Sequence, residues 1–401
     1  MSIAIYTLTS QLHDEVAVDC VTKEFLESLN IKYDFKGGDY SDYGQSALNI
    51  IYVRTGGTEC VLKPLLPSIL KATTQPVYLL TSGKSNSLAA SMEILSYLRQ
   101  NNIQGEIIHG STEYIHNRIS LLERVADIRR QLNGKRLGVI GKPSDWLISS
   151  HANYNIVKEK LGIDIIDISM EEMMSVYDSA EGSHEEELSS MAPTDAIKEA
   201  LPGAMRIYNA IRSIVNRHNL QGLTIRCFDL LTAVRNTGCV ALAKLNSEGI
   251  IAGCEGDVPA MLTMAITQAI IGKSGFQANP ARINPDTGEM LFAHCTIPFN
   301  MLQHFELDTH YESGMGVGIR GYMQEGDVTV FKVSGDLSRH FVAEGTLVKN
   351  QGEPNLCRTQ QGIQLDNAKD ARYFLTNPIG NHHIILPGHH KELIEGIFAC
   401  L

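Results

Sequence analysis

Four short segments of this chain carry side chains that could act together. Residues 253–259 read Gly-Cys-Glu-Gly-Asp-Val-Pro and set two carboxylates, Glu255 and Asp257, between an apolar run and a helical one. His294 lies in Phe-Ala-His-Cys-Thr-Ile-Pro, His310 and Glu312 in Thr-His-Tyr-Glu-Ser-Gly-Met-Gly, and His382 and His383 follow Gly380-Asn381. In an extended strand His310 and Glu312 project to one face, because side chains alternate with period two. Read singly, Glu255 and Asp257 cap a helix and each histidine is a hydrogen-bonded structural residue. Together they suggest a convergent site, and carboxylate oxygens with one or two imidazoles suit a divalent ion such as Mn²⁺ or Mg²⁺. The eight cysteines are scattered without a C-x-x-C pair, which argues against structural zinc and fits reduced core thiols. Trp146, the only tryptophan, stands beside Ser144 and Asp145 in a strand-end loop, where an indole can stack on a sugar face.

The elements that must position these groups follow from periodicity. The apolar run 249–254 reads as a short strand, Asp257 as an N-cap, Pro259 as a first-turn proline and Gly272 as the helix stop. Glu255 is thereby placed in a strand-to-helix turn, where α/β folds bind ligands. Ahead of it, strands at 3–7, 48–54, 75–80 and 106–109 alternate with helical patterns at 12–29, 58–71, 87–100 and 112–132. The loop 81–86 contains Gly-Lys-Ser but lacks the glycine five residues earlier, so it reads as a helix cap and not a P-loop. A second α/β unit starts at Lys135, with a strand at 163–168, a polar segment 178–194 read as an exposed loop, a helix at 195–218 and a strand at 223–227. Beyond Asn279 the pattern changes to short alternating runs at 289–297, 316–322, 328–333, 339–342 and 345–349. The predicted architecture is two open-sheet (Rossmann/flavodoxin-like) α/β domains, 1–133 and 134–288, followed by an antiparallel β-rich C-terminal domain, 289–401, with a terminal helix.

Composition narrows the function classes. The 401 residues are 43% hydrophobic and 20% charged, as in a soluble globular protein, and no apolar run is long enough to span a bilayer. A net charge of −11 argues against nucleic acid or an anionic membrane as partner and leaves small molecules. The N-terminus reads as a first strand and not a signal peptide, so a cytoplasmic protein is expected.

Three segments carry a family resemblance: Cys254-Glu-Gly-Asp-Val-Pro-Ala-Met-Leu-Thr-Met-Ala, Ala293-His-Cys-Thr-Ile-Pro and Gly380-Asn-His-His-Ile-Ile-Leu-Pro-Gly388. Together they resemble the L-fucose/L-arabinose isomerase superfamily, in its shorter fucose-isomerase-like branch. The similarity is most specific over residues 222–388 and weak in the first 130. It implies a Mn²⁺-dependent aldose–ketose isomerase acting through an ene-diol, usually a homo-oligomer whose active site borrows the N-terminal domain of a neighbour. It also implies that Glu255, Asn279 and His382 hold the metal, with Asn279 standing where the family has an aspartate. An amide oxygen can ligate a hard cation but cannot take a proton, and the missing charge weakens binding of Mn²⁺ or Mg²⁺. Glu255 is then the expected base, and Asp257, Glu312 or His294 must supply the second proton-transfer group. Trp146, His294, His310, Glu312, Asn381 and His383 are expected around the sugar. The alternative is a catalytically impaired homologue that binds a sugar or sugar derivative as a sensor or partner subunit. A two-lobed solute-binding protein fits less well, given the added β domain.

Overall fold

The computed structural model describes residues 3–183 and 185–401; Met1 and Ser2 of the expected first strand, and His184 of the expected polar loop, lie outside the described residues. The chain divides into two compact units, residues 1–130 with 395–400 and residues 131–394 with 401.

In the first unit five parallel strands, β1 (Ile3–Leu8), β2 (Asp34–Gly37), β3 (Leu48–Val53), β4 (Val77–Leu80) and β5 (Gly105–Ile108), pair in the order β2-β1-β3-β4-β5. Every residue of β1 and β3 is buried, because a parallel sheet is covered on both faces. Alternation sends Ile3, Ile5, Leu48 and Ile50 into one core and Ala4, Tyr6, Ile51 and Val53 into the other. This is the flavodoxin-like strand order expected of an open doubly wound sheet.

The second unit begins with β6 (Arg136–Ile140), β7 (Asp164–Ile168), β8 (Gly222–Ile225) and β9 (Ile251–Gly253), parallel in the order β7-β6-β8-β9. The helix Asp195–His218 starts at Thr194, whose hydroxyl accepts from the Ile197 N–H, and buries Ile197, Leu201, Met205, Ile211 and Ile214 along one face. Within the segment expected as an exposed loop, Glu186–Ser190 forms a short helix that buries Leu188, and Glu185 pairs with Lys244 at 3.3 Å.

The rest of this unit is antiparallel: β10 (Phe276–Ile283), β11 (Glu289–His294), β12 (Leu302–Asp308), β13 (Gly318–Met323), β14 (Gly326–Val333), β15 (His340–Gln351), β16 (Thr359–Leu365) and β17 (His383–Pro387). Six of them close a barrel in the order β10-β11-β16-β15-β14-β17, and β12 and β13 form a separate two-stranded sheet. The first barrel strand thus opens at Phe276, ahead of residue 289. Full closure leaves the barrel without an edge strand.

The helix Val258–Ile271 joins the parallel sheet to the barrel and packs against β8, β9, β14 and β17. Residues 258–267 are all buried, and an α-helix that is apolar all round is stable only in such a place. Each fully buried Leu, Ile or Met in it contributes roughly 1.5–3 kcal/mol relative to exposure. Asp257 caps it by accepting from the Ala260 N–H at 2.8 Å, and Gly272, with φ at 73°, ends it. Among the described residues no helix is long and apolar enough to cross a membrane.

Candidate metal and substrate site

The site is built on the turn between β9 and the buried helix. Glu255 and Gly256 both take left-handed backbone conformations, with φ of 62° and 70°. For a glutamate this costs on the order of 1–2 kcal/mol, and such strain is stored where a side chain must be aimed. Gly256 is required: a Cβ there would lie 2.4 Å from the Lys142 carbonyl oxygen. The turn is pinned by the Ser144 N–H donating to the Glu255 carbonyl and the Gly256 N–H donating to that of Ile225, both at 2.9 Å. Arg226 secures the facing loop, reaching the Pro143 carbonyl at 3.0 Å and the Asp145 carboxylate at 2.8 Å.

Glu255 Oε1 lies 3.4 Å from His382 Nε2 and 3.6 Å from His294 Nε2. One donor atom from each of the three residues lies within 4.8 Å of the others, and all three are buried. The second carboxylate oxygen, Oε2, accepts from Trp146 Nε1 at 2.7 Å. Each imidazole is fixed from behind: His382 Nδ1 stands 2.9 Å from Asp257 Oδ2, and His294 Nδ1 stands 3.1 Å from Thr296 Oγ1. Among the described residues His382 Nε2 is buried and makes no hydrogen bond, its polar neighbour being Glu255 Oε1 at 3.4 Å. A buried polar atom left unpaired costs roughly 1–3 kcal/mol, and a cation between these groups would satisfy it. The donor set and the orphaned nitrogen therefore fit a divalent metal ion.

Electrostatics agree with a strongly polar centre. Burial works against ionisation of Glu255, but the imidazoles of His294 and His382 prevail and hold its carboxyl well below the usual range. Burial likewise lowers His382, yet Asp257 and Glu255 outweigh it and raise its pKa to about 9. His294 is pushed down, chiefly by burial.

Glu255, Asn279, His294, His310 and Glu312 line one pocket with Phe228, Leu231 and several thiols. Two of those thiols, Cys227 and Cys254, approach to 3.0 Å between sulfurs. His310 Nδ1 lies 3.0 Å from the Ser313 hydroxyl, and its ring packs edge-on against Phe228.

The structure brings most of the sequence-based candidates together, with several changes of setting. His310 and Glu312 are not on a strand: β12 ends at Asp308 and β13 starts at Gly318, so 309–317 is a hairpin loop, closed by the His310 N–H donating to Met315 O at 3.1 Å. Side chains in this loop do not alternate with period two, yet both residues reach the pocket. Asp257 is fully buried, with its carboxylate shared among the Ala260 N–H, His382 and Lys332, and does not line the pocket. Asn279 Oδ1 accepts from Asn381 Nδ2 at 3.0 Å. His383 lies away from the pocket, against Tyr373 and Phe374, with Nε2 3.1 Å from the Tyr373 hydroxyl and its pKa driven down by burial to about 3. Trp146 is 54% exposed, stands edge-on to Phe228 and has its N–H committed to Glu255. Lys332 was not among the candidates; its one signal in the sequence is a charge on the same strand face as Val328 and Val330 in an apolar run.

No family model matches the chain. Among curated proteins it is similar to sulfoquinovose isomerases. With that of Alkalicoccus urumqiensis it is 21% identical over 268 residues, 62% of this chain and 59% of the relative. With that of Priestia megaterium it is 20% identical over 262 residues, again 62% and 59%. With that of Clostridium sp. (strain MSTE9) it is 23% identical over 195 residues, 46% and 42%. The chain thus spans less than two thirds of the length of the curated relatives it matches. The chain is a distant likeness of the sulfoquinovose isomerases, and that likeness supports the resemblance to the L-fucose/L-arabinose isomerase superfamily carried by its own motifs.

Proposed function

We propose that this protein is a metal-dependent aldose–ketose isomerase. The observation that carries the reading is the buried triangle of Glu255, His294 and His382, in which His382 Nε2 makes no hydrogen bond among the described residues, beside a pocket that holds a second carboxylate. Glu255, His294 and His382 would hold the ion, with Asn279 a neutral oxygen nearby; two imidazoles favour Mn²⁺ over Mg²⁺. When bound, the ion polarises the carbonyl and adjacent hydroxyl of an open-chain sugar and makes the C2 proton more acidic.

The chain's own residues supply the proton transfers. Trp146 fixes the Glu255 carboxylate through Oε2, and Glu255 takes the proton from C2 and returns it to C1. Glu312 makes no hydrogen bond among the described residues, and burial, with the charge of Glu255, raises its pKa. A carboxyl group so raised can donate a proton to O1 and recover one from O2, so that the aldose leaves as its ketose isomer with no change in composition. Phe228 and Leu231 limit water at the reacting carbons.

By name the relatives act on sulfoquinovose, a sulfonated sugar. Here the pocket presents two carboxylates and, among its described lining residues, no lysine or arginine, which favours an uncharged aldose. The same reading takes the working protein to be a homo-oligomer, testable by sedimentation, that acts in the cytoplasm. The deciding experiment incubates the purified protein and Mn²⁺ with a panel of aldoses that includes sulfoquinovose, and follows ketose formation by NMR. Mn²⁺-dependent turnover, lost in Glu255→Gln, supports the proposal. Sugar binding without turnover identifies instead the impaired, ligand-binding homologue that Asn279 brings into consideration.

A further inference from the structure

Behind His382 three buried groups stand in a row. His382 and Asp257 are each 0% exposed and Lys332 is 1% exposed. They come from separate parts of the chain: His382 precedes β17, Asp257 caps the buried helix and Lys332 belongs to β14. Lys332 Nζ lies 3.4 Å from both oxygens of Asp257, and among the described residues it makes no other hydrogen bond. Asp257 Oδ1 also accepts from the Ala260 N–H at 2.8 Å, and Oδ2 stands 2.9 Å from His382 Nδ1.

A helix cap alone does not explain this arrangement. Asp14 and Asn153 cap their helices through one side-chain oxygen that accepts from a backbone N–H, and among the described residues neither is bonded to a lysine or arginine. Sealing an ammonium inside a barrel costs several kcal/mol unless it is paired, and Val328 and Val330 on the same strand face show the apolar alternative. What the lysine adds is a fixed orientation of the carboxylate. With Lys332 bridging both oxygens and Ala260 holding one, Oδ2 is left facing His382 Nδ1. An Nδ1–H donated to that oxygen leaves the lone pair of Nε2 directed at Glu255 and His294, and Nε2 makes no hydrogen bond among the described residues. Groups behind a ligating imidazole commonly set its tautomer and ring orientation in this way.

We infer that Lys332 is a positioning residue of the metal site, acting through Asp257 to hold His382 with Nε2 free to ligate. The inference rests on the proposed role of Glu255, His294 and His382 as metal ligands and adds to it a residue that touches neither metal nor substrate.

The test measures Mn²⁺ affinity by calorimetry in the wild type, Glu255→Gln, Lys332→Met and Lys332→Arg, with folding checked by circular dichroism. Lys332→Met keeps the length of the side chain without its charge, and is expected to weaken Mn²⁺ binding about tenfold, the low end of the range for losing a direct outer partner of a metal ligand, because Lys332 acts one step further out through Asp257. Lys332→Arg is expected to restore most of that affinity, which filling space alone would not predict. A folded Lys332→Met that binds Mn²⁺ as tightly as the wild type overturns the inference. If Lys332→Met does not fold, the wild type decides. The ¹⁵N shifts of the His382 ring in the Mg²⁺-loaded form, assigned by their loss in His382→Gln, are expected to show a protonated Nδ1 and an unprotonated Nε2; the opposite tautomer overturns the inference. Absence of Mn²⁺ binding in the wild type, or binding untouched by Glu255→Gln, overturns the metal reading and this inference with it.

Discussion

Trp146 Nε1 donates a 2.7 Å hydrogen bond to Glu255 Oε2, so the only tryptophan of the chain is bonded to the carboxylate at the centre of the candidate site. Its emission therefore reports on that carboxylate directly. Titration with Mn²⁺ is expected to quench tryptophan fluorescence saturably, with Mg²⁺ producing a smaller change and Glu255→Gln abolishing both. Calorimetric binding of Mn²⁺ with no change in emission would place the ion elsewhere. Trp146→Phe keeps a ring against Phe228 but loses a charge-assisted hydrogen bond, worth about 1.5 kcal/mol or more, and is expected to lower kcat/KM about tenfold.

Asn279 tests how much charge the site needs. Its Oδ1 already accepts from Asn381, and an aspartate would keep that acceptor while adding a negative charge to a pocket that holds Glu255. Asn279→Asp is expected to tighten Mn²⁺ binding about tenfold, because affinity for hard divalent ions rises with the number of charged oxygen donors. Unchanged affinity in calorimetry would mean that position 279 lies beyond the reach of the ion.

His310 gives the site a pH dependence that can be read in stability. Burial, and next the neighbouring His294, push its pKa down from 6.5 to about 4. The folded protein thus binds fewer protons than the unfolded chain between those values, and stability rises with pH there. The contribution is complete above pH 6.5 and is lost as pH falls towards 4, with an upper limit of about 3 kcal/mol before solvent screening. Urea midpoints measured from pH 7 to 4.5 are expected to fall more steeply in the wild type than in His310→Gln. Parallel curves would show that the imidazole is not held neutral by its surroundings.

The strand-turn-helix around Glu255 was legible because each of its signals is local: an apolar run, Asp257 at the N-cap, Pro259 in the first turn and Gly272 at the stop. The parallel strands of the first unit were legible for the opposite reason, since burial on both faces leaves unbroken apolar runs. Strands with other chemistry escaped. β16 reads Thr-Gln-Gln-Gly-Ile-Gln-Leu; its Gln360 is buried because its side chain bonds both the N–H and the carbonyl of Glu353, a partner visible only in three dimensions. β10 contains Pro280 and a bulge between Pro280 and Arg282, which break its alternation. The single strand β15 was expected as two runs, 339–342 and 345–349; within it a Cβ at Gly345 would lie 2.4 Å from the Gln364 carbonyl oxygen, so the glycine admits the neighbouring strand. Within the site, the residue types were readable, but their division of labour was not. Asp257 and Glu312 are both carboxylates near a motif, and only burial separates the one enclosed with Lys332 and His382 from the one that lines the pocket.

That separation gives the last prediction. If Glu312 moves protons between the sugar oxygens, Glu312→Gln keeps the size and polarity of the side chain and removes only its acid–base function. Turnover of the preferred aldose is expected to fall about 10²- to 10⁴-fold, the range typical of losing a general acid–base group. Mn²⁺ affinity and KM should change little, because Glu312 lies outside the cluster formed by Glu255, His294 and His382. Asp257→Asn should behave in the reverse sense, with weakened Mn²⁺ binding, because its carboxylate faces His382 and not the pocket. Measuring kcat and metal affinity side by side in the two variants therefore assigns the roles. A Glu312→Gln enzyme with full turnover would remove Glu312 from the chemistry and leave His310, on the same hairpin, as the remaining carboxyl or imidazole group among the described lining residues outside the metal-binding cluster.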